Sequence, residues 1–210
     1  MSNPNAGNIS DLIRNNEEQI REEWVQNLKG NIIRSEALGN DISRQCAQFL
    51  EALSTAAQND PAGQVNSSAW DEARHVLADI SSNRAKQGSS PGETAMFVFS
   101  LKQVLFNRLV ADFKDEPAVI ANATLKITAV LDKLGLFTME AFQKTRDQII
   151  VRQQQELLEL STPVVKLWKD ILALPLIGTL DSARTQVVME SLLQKIVETG
   201  AVIAIIDITG

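Results

Sequence analysis

The chain has no tyrosine, one cysteine (Cys46) and one histidine (His75), and only 5% of its 210 residues are aromatic. A single cysteine excludes an internal disulfide and any multi-cysteine metal site. A single histidine excludes a three-histidine metal centre. It also leaves a Ser-His-Asp triad only His75 to use, in a helical segment with no nucleophile motif beside it. The phosphate-cradling patterns GxxxxGK and GxGxxG are missing, as are HExxH, CxxC and GxSxG. The expectation is a protein that is not an enzyme. Positive charge is also short: 20 Lys and Arg against 26 Asp and Glu leave −6, which speaks against a nucleic-acid binder with a basic face. No apolar run approaches the roughly 18–20 residues that span a bilayer. The opening MSNPNAGNIS lacks the basic-then-apolar pattern of a secretory signal. These absences point to a soluble, acidic, cytoplasmic protein without a membrane partner.

What is present is a 44% hydrophobic composition laid out at helical spacing. Ile9, Leu12, Ile13, Ile20, Trp24 and Leu28 predict a first helix, with Ser10 as N-cap, Asp11 in the first turn and Gly30 at its end. A second helix runs from about Asp41, with Ile42, Cys46, Phe49, Leu50 and Leu53 on one face, and stops at Asn59-Asp60-Pro61. A third begins near Ser68 and carries Trp70, Ala73, Val76, Leu77 and Ile80. Ser90, Pro91 and Glu93 read as a capping box with proline at the first helical position. They open the most apolar helix, with Met96, Phe97, Phe99, Leu101, Val104, Leu105 and Leu109, expected at the centre of a bundle.

Pro117 opens a long helical stretch to about Leu160. Ile120, Thr124, Ile127, Leu131 and Leu134 step 4, 3, 4, 3, the seam of a coiled coil, which weakens beyond Gly135. The plain reading is a long core helix. The sharper one is a bundle helix that continues as a dimerising linker. At residues 161–163 the period changes. Dense apolar segments surround Pro175, an amphipathic helix follows from Val187 to Val197, and Val202 to Ile208 reads as a buried strand, together a βαβ-type unit. The expected organisation is an all-α bundle over 1–117, a completing and dimerising linker helix over 118–160, and an α/β domain over 161–210. Because compact domains usually need ~100 residues or more, that last part is expected to be cut short, ordered by partners or continued in a longer chain.

Three candidate features remain. Residues 178–182 (GTLDS) form a turn before a helix. Asp181 or Ser182 caps that helix, and the Ser182 hydroxyl could also accept phosphate, which would meet the positive end of the helix dipole. His75 sits in the third helix as a packed or surface residue; if the bundle holds a haem through histidine, His75 is the only available ligand. Glu17, Glu18, Arg21, Glu22 and Glu23 read as a solvated helix face.

Residues 159–165 (ELSTPVV), 174–184 (LPLIGTLDSAR), 188–193 (VMESLL) and 205–210 (IIDITG) resemble the start of the STAS domain of RsbR-type stressosome proteins. Ile20, Trp24 and the Ser90-Pro91-Gly92-Glu93 helix start are similar to the amino-terminal sensor domain of the same family. The resemblance implies a dimeric, globin-like amino-terminal domain, a linker helix, and a STAS domain that packs with RsbS-type STAS partners into a large shell. It implies an RsbT-type serine/threonine kinase, held there and released toward a stress-response pathway once it has phosphorylated the STAS domains. By position the first acceptor is Ser182. The second lies beyond the Ile-Thr-Gly turn, so Thr209 is not its equivalent. The resemblance implies that some members hold haem, and the helix order puts His75 where a globin's proximal histidine would sit. A haem-based gas sensor is therefore the alternative to the scaffold, and a ligand-free helical dimerisation module the second alternative.

Overall fold

The computed structural model describes residues 8–31, 39–160, 164–176 and 182–208. The chain divides into two compact units, residues 1–146 and 147–210. That division falls inside the long helix that ends at Leu160.

In the first unit, α1 spans Ile9–Asn31. Its cap is not Ser10, as the spacing suggested, but Asn8, whose Oδ1 accepts from the Ser10 N–H at 3.4 Å. Asn8 stands immediately ahead of the first core residue, and Ser10 is buried inside the first turn. Helical angles break at Asn16 (φ −133°, ψ 20°). Its side-chain amide donates to the Leu12 carbonyl (3.2 Å) and to Asp112 Oδ2 (3.0 Å), a local competitor for the helix's own bonds. Next come α2 (Gly39–Asn59), a single 3₁₀ turn (Ser68–Trp70), α3 (Asp71–Lys86), α4 (Pro91–Asp112) and α5 (Pro117–Leu160).

The capping box at α4 forms as the residues predict: Ser90 Oγ accepts from the Glu93 N–H (3.1 Å), and the Glu93 carboxylate accepts from the Ser90 N–H (2.9 Å). The loop after α2 is folded around one carboxylate. Asp60 accepts from the N–H groups of Ala62 (3.1 Å) and Gln64 (2.8 Å), the Ser67 hydroxyl (3.2 Å) and the Trp70 indole (2.9 Å). The Trp70 bond is the largest influence holding the Asp60 pKa below its ordinary value.

At the centre, Trp24, Phe49 and Phe97 meet with ring centroids 4.7–6.1 Å apart. The Trp24 indole donates to the Phe97 carbonyl (3.2 Å) and to Ser100 Oγ (2.9 Å). Arg84, nearly fully buried, lays its guanidinium 5.0 Å over the Phe97 ring and donates to the Glu93 carbonyl, tying α3 to α4. Leu101, Val104, Leu105 and Leu109 of α4 are fully buried, as expected of the central helix. Met96 is the correction: it was grouped with them but stands 43% exposed, because α4 is apolar on more than one side.

The second unit holds a three-stranded sheet ordered β1 (Val165–Trp168), β2 (Ile171–Pro175), β3 (Ile203–Asp207). β1 is antiparallel to β2, and β3 is parallel to it, reached through α6 (Ser182–Thr199). Leu172 and Leu174 of β2 pack with Val188 and Leu192 of α6. Gly200 ends α6 with φ +67°, the left-handed value that a residue without Cβ accepts freely. The last strand has the apolar run of a buried strand, expected to show an exposed apolar face where its neighbours are missing, and every residue of β3 is exposed. α6 covers the middle of the sheet, and among the described residues β3 is paired on one side, to β2.

Candidate functional site

Ser182 is the first residue of α6, and its side chain is exposed. The unpaired N–H groups of a helix's first turn and the aligned peptide dipoles favour negative charge there. An exposed hydroxyl at this place is open to a modifying enzyme, and the resulting phosphate would be locally stabilised. The preceding turn, including Asp181, lies outside the described residues, as does Thr209.

His75 lies on α3, exposed, with Nε2 3.5 Å from Asp79 Oδ2 one turn later. It borders a groove of about 610 Å³ between α2 and α3, whose walls include Arg44, Gln48, Glu51, Asp79 and Asn83. Haem needs an apolar slot with the axial nitrogen directed into it. These walls are polar and charged, and the interior of the bundle is filled by Trp24, Phe49, Phe97 and Leu101, all at 0% exposure. The residues present do not fit haem at His75. Among the described residues no group of His, Cys, Asp and Glu is arranged to hold a metal ion.

The acidic face of α1 divides. Glu17, Glu18 and Glu22 are exposed, whereas Glu23 joins α1 to α4 through Arg108 (3.6 Å) and the Asn107 amide (3.0 Å). Cys46 is fully buried and its thiol pKa is pushed up to about 12 by that burial, so it is not a nucleophile near neutral pH.

The sequence reading missed a second face on α4. Met96, Phe99, Gln103, Phe106 and Val110 step 3, 4, 3, 4 along this face, with Met96, Phe106 and Val110 at 39–43% exposure and Phe99 half-buried against α5. On α5, Leu125, Leu136 and Met139 are exposed at 38–70%. The two helices meet where Phe99 lies against Gly135, leaving no room for a Cβ there. Beside that contact Lys102 pairs with Asp132 and holds its ammonium 4.8 Å over the Phe99 ring. The signal was available: the same spacing that marks a core seam, repeated one step around the helix.

Residues 18–157 match the model of a known family, the RsbT co-antagonist protein rsbRD N-terminal domain. The chain belongs to this family. Its match takes in α1 from Glu18 through most of α5, so the first unit is almost entirely family sequence. A curated relative, the RsbT co-antagonist protein RsbRA of Bacillus subtilis (strain 168), is 36% identical over 64 residues, 30% of this chain and 23% of that protein. The stretch held in common is thus under a quarter of the relative's length. Among the described residues no helix is long and apolar enough to cross a membrane.

Proposed function

We propose that this chain is a sensor and scaffold subunit of a stressosome-type signalling complex, with Ser182 as the acceptor for an RsbT-type serine/threonine kinase. The observation that carries the reading is an exposed hydroxyl at the first residue of α6, in a unit whose strands and helix follow the order that the STAS-like segments imply. Family membership and the name of the relative, both RsbT co-antagonists, support RsbT as the partner. In the transfer, Ser182 Oγ attacks the γ-phosphorus of the kinase's ATP. The Oγ–P bond forms, the bond to the leaving ADP breaks, and the hydroxyl proton passes to the kinase's base. The chain is the substrate in this step, not the enzyme.

Phosphate adds about −1.5 to −2 charge at the head of α6. That charge biases docking of the kinase and of RsbS-type STAS partners, and so links modification to kinase release. The amino-terminal unit, read as globin-like, forms a homodimer together with the linker part of α5. The outward stripe on α4 and the exposed Leu125, Leu136 and Met139 of α5 support that role, since large apolar side chains at heptad spacing are the means by which helices of two copies pack. The complex works in the cytoplasm.

Incubation with an RsbT-type kinase and ATP, followed by phosphate mapping, is the test. One phosphate at Ser182, lost in Ser182→Ala, is expected. Phosphate placed elsewhere and unaffected by Ser182→Ala overturns the assignment. Sedimentation addresses the dimer: Phe106→Glu should yield monomer, and a monomeric parent chain contradicts the proposal.

A further inference from the structure

The face of the small sheet turned away from α6 is apolar and exposed. Side chains alternate between the two faces of a strand. Leu172 and Leu174 of β2 pack against Val188 and Leu192 of α6, so Ile171 and Ala173 face the other way. The register carries that face across the sheet. Val165 and Trp168 of β1 lie opposite Ala173 and Ile171, and Ile205 and Ile203 of β3 lie beside the same two residues. Val165, Trp168, Ile203 and Ile205 are 44–69% exposed. Charge enters at the margin, where Asp207 lies beside Pro175.

A surface that covers this face has to be flat and apolar, because a charge set against it would lose water and gain no partner. The same face of a second copy meets those terms. Apposed on itself about a two-fold axis, it brings no like charges together at its centre. Sheets packed in this way stand ~10 Å apart, with their inner side chains interdigitated. The path of the chain favours the same occupant. α5 ends at Leu160 and β1 starts at Val165. At ~3.4 Å per residue, that connection holds the start of the strand within ~17 Å of the helix end. Two paired α5 helices would therefore keep two such sheets together at an effective concentration in the mM range. A patch on the order of a few hundred Å² then closes without the ~800 Å² per partner of a free-standing interface.

We propose that the sheet face bearing Trp168, Ile203 and Ile205 packs on the same face of a second copy. The contact rests on the α5 dimer read above and adds a second interface to it. Trp168 is its anchor, as the largest side chain on the face and the most exposed of the four.

Tryptophan emission from the full chain tests it. Trp24 and Trp70 are sealed at 0% exposure, so iodide quenching reads Trp168. In the dimer, iodide should leave the emission unquenched. Ile205→Glu, on the same face, should make Trp168 quenchable while sedimentation still shows a dimer held by α4 and α5. Ile206→Glu alters the next residue, which shares the α6 side of the sheet with Leu174, and should leave Trp168 protected. In monomeric Phe106→Glu, Trp168 should be quenched in dilute solution and protected on concentration. Equal quenching in Ile205→Glu and Ile206→Glu overturns the proposal, because it reports a lost fold and not a lost contact. Protection of Trp168 in the monomer at every dilution also overturns it, since the chain would then cover its own sheet. A dimer in which Trp168 is freely quenched removes this contact alone, whereas a parent chain that sediments as a monomer removes the α5 dimer and this contact with it.

Discussion

In the unit of residues 1–146, Trp24, Phe49, Phe97 and Leu101 are sealed at 0% exposure, while in the unit of residues 147–210 Leu193, Val197, Val202 and Ile203 stand 52–84% exposed. Both regions are rich in apolar residues at regular spacing. They differ in how many neighbours each element has. In the first unit α2 and α4 both pack on α1, and α3 packs on both. The second unit lays one helix on a sheet with a parallel pair, an arrangement that ordinarily has cover on both faces. Apolar spacing therefore specifies a face to be covered, and the neighbours decide whether the covering is done within the unit or left to other surfaces.

The largest effect should come from truncating matched leucines. Leu101→Ala is expected to cost about 3–4 kcal/mol in urea denaturation, and Leu193→Ala less than ~0.5 kcal/mol. Equal losses would break the contrast. The left-handed glycines sharpen it. Gly63 (φ +68°) would place a Cβ 2.6 Å from Val130 Cγ2, whereas Gly200 (φ +67°) would place one in open space. Gly63→Ala should therefore cost about 2–3 kcal/mol, strain plus collision, and Gly200→Ala about 1 kcal/mol from strain alone, read by thermal melts.

A smaller effect is expected from acid. Asp60 has a folded pKa below its unfolded value of 3.8. Its contribution is present above that value and is lost as pH falls through the folded pKa. Melting temperature should fall in this window, and Trp70→Phe, which removes the main cause, should flatten the response. The smallest is expected at Cys46. Iodoacetamide at pH 8 should leave the folded chain unmodified and alkylate it in urea, since burial keeps the thiol protonated.

The helices were legible because their apolar period is long and their caps are chemically distinct; Ser90 with Glu93 is the clearest case. The start of α6 was legible too, from a turn followed by a change of period, and that places Ser182. The orientation of His75 was not. A lone histidine in a helix reads as either packed or surface, and it is the packing of α3 that puts His75 on the surface beside Asp79, away from the buried Leu77 and Ile80. The outer stripe of α4 was hidden for a related reason. Met96 was counted among the core residues because hydropathy marks a side chain as apolar without saying which neighbour covers it.

α5 runs 44 residues without a break. At 1.5 Å per residue that is a rod of about 66 Å. Such a rod has a phase as well as a length. Each residue inserted in α5 would turn the side chains that follow on that helix by ~100° about its axis while advancing them by only ~1.5 Å. Deletions and insertions there would therefore act chiefly as rotations of the helix's faces, and a seven-residue insertion, close to two whole turns, would restore the original face where a three- or four-residue one comes within about 60° of it.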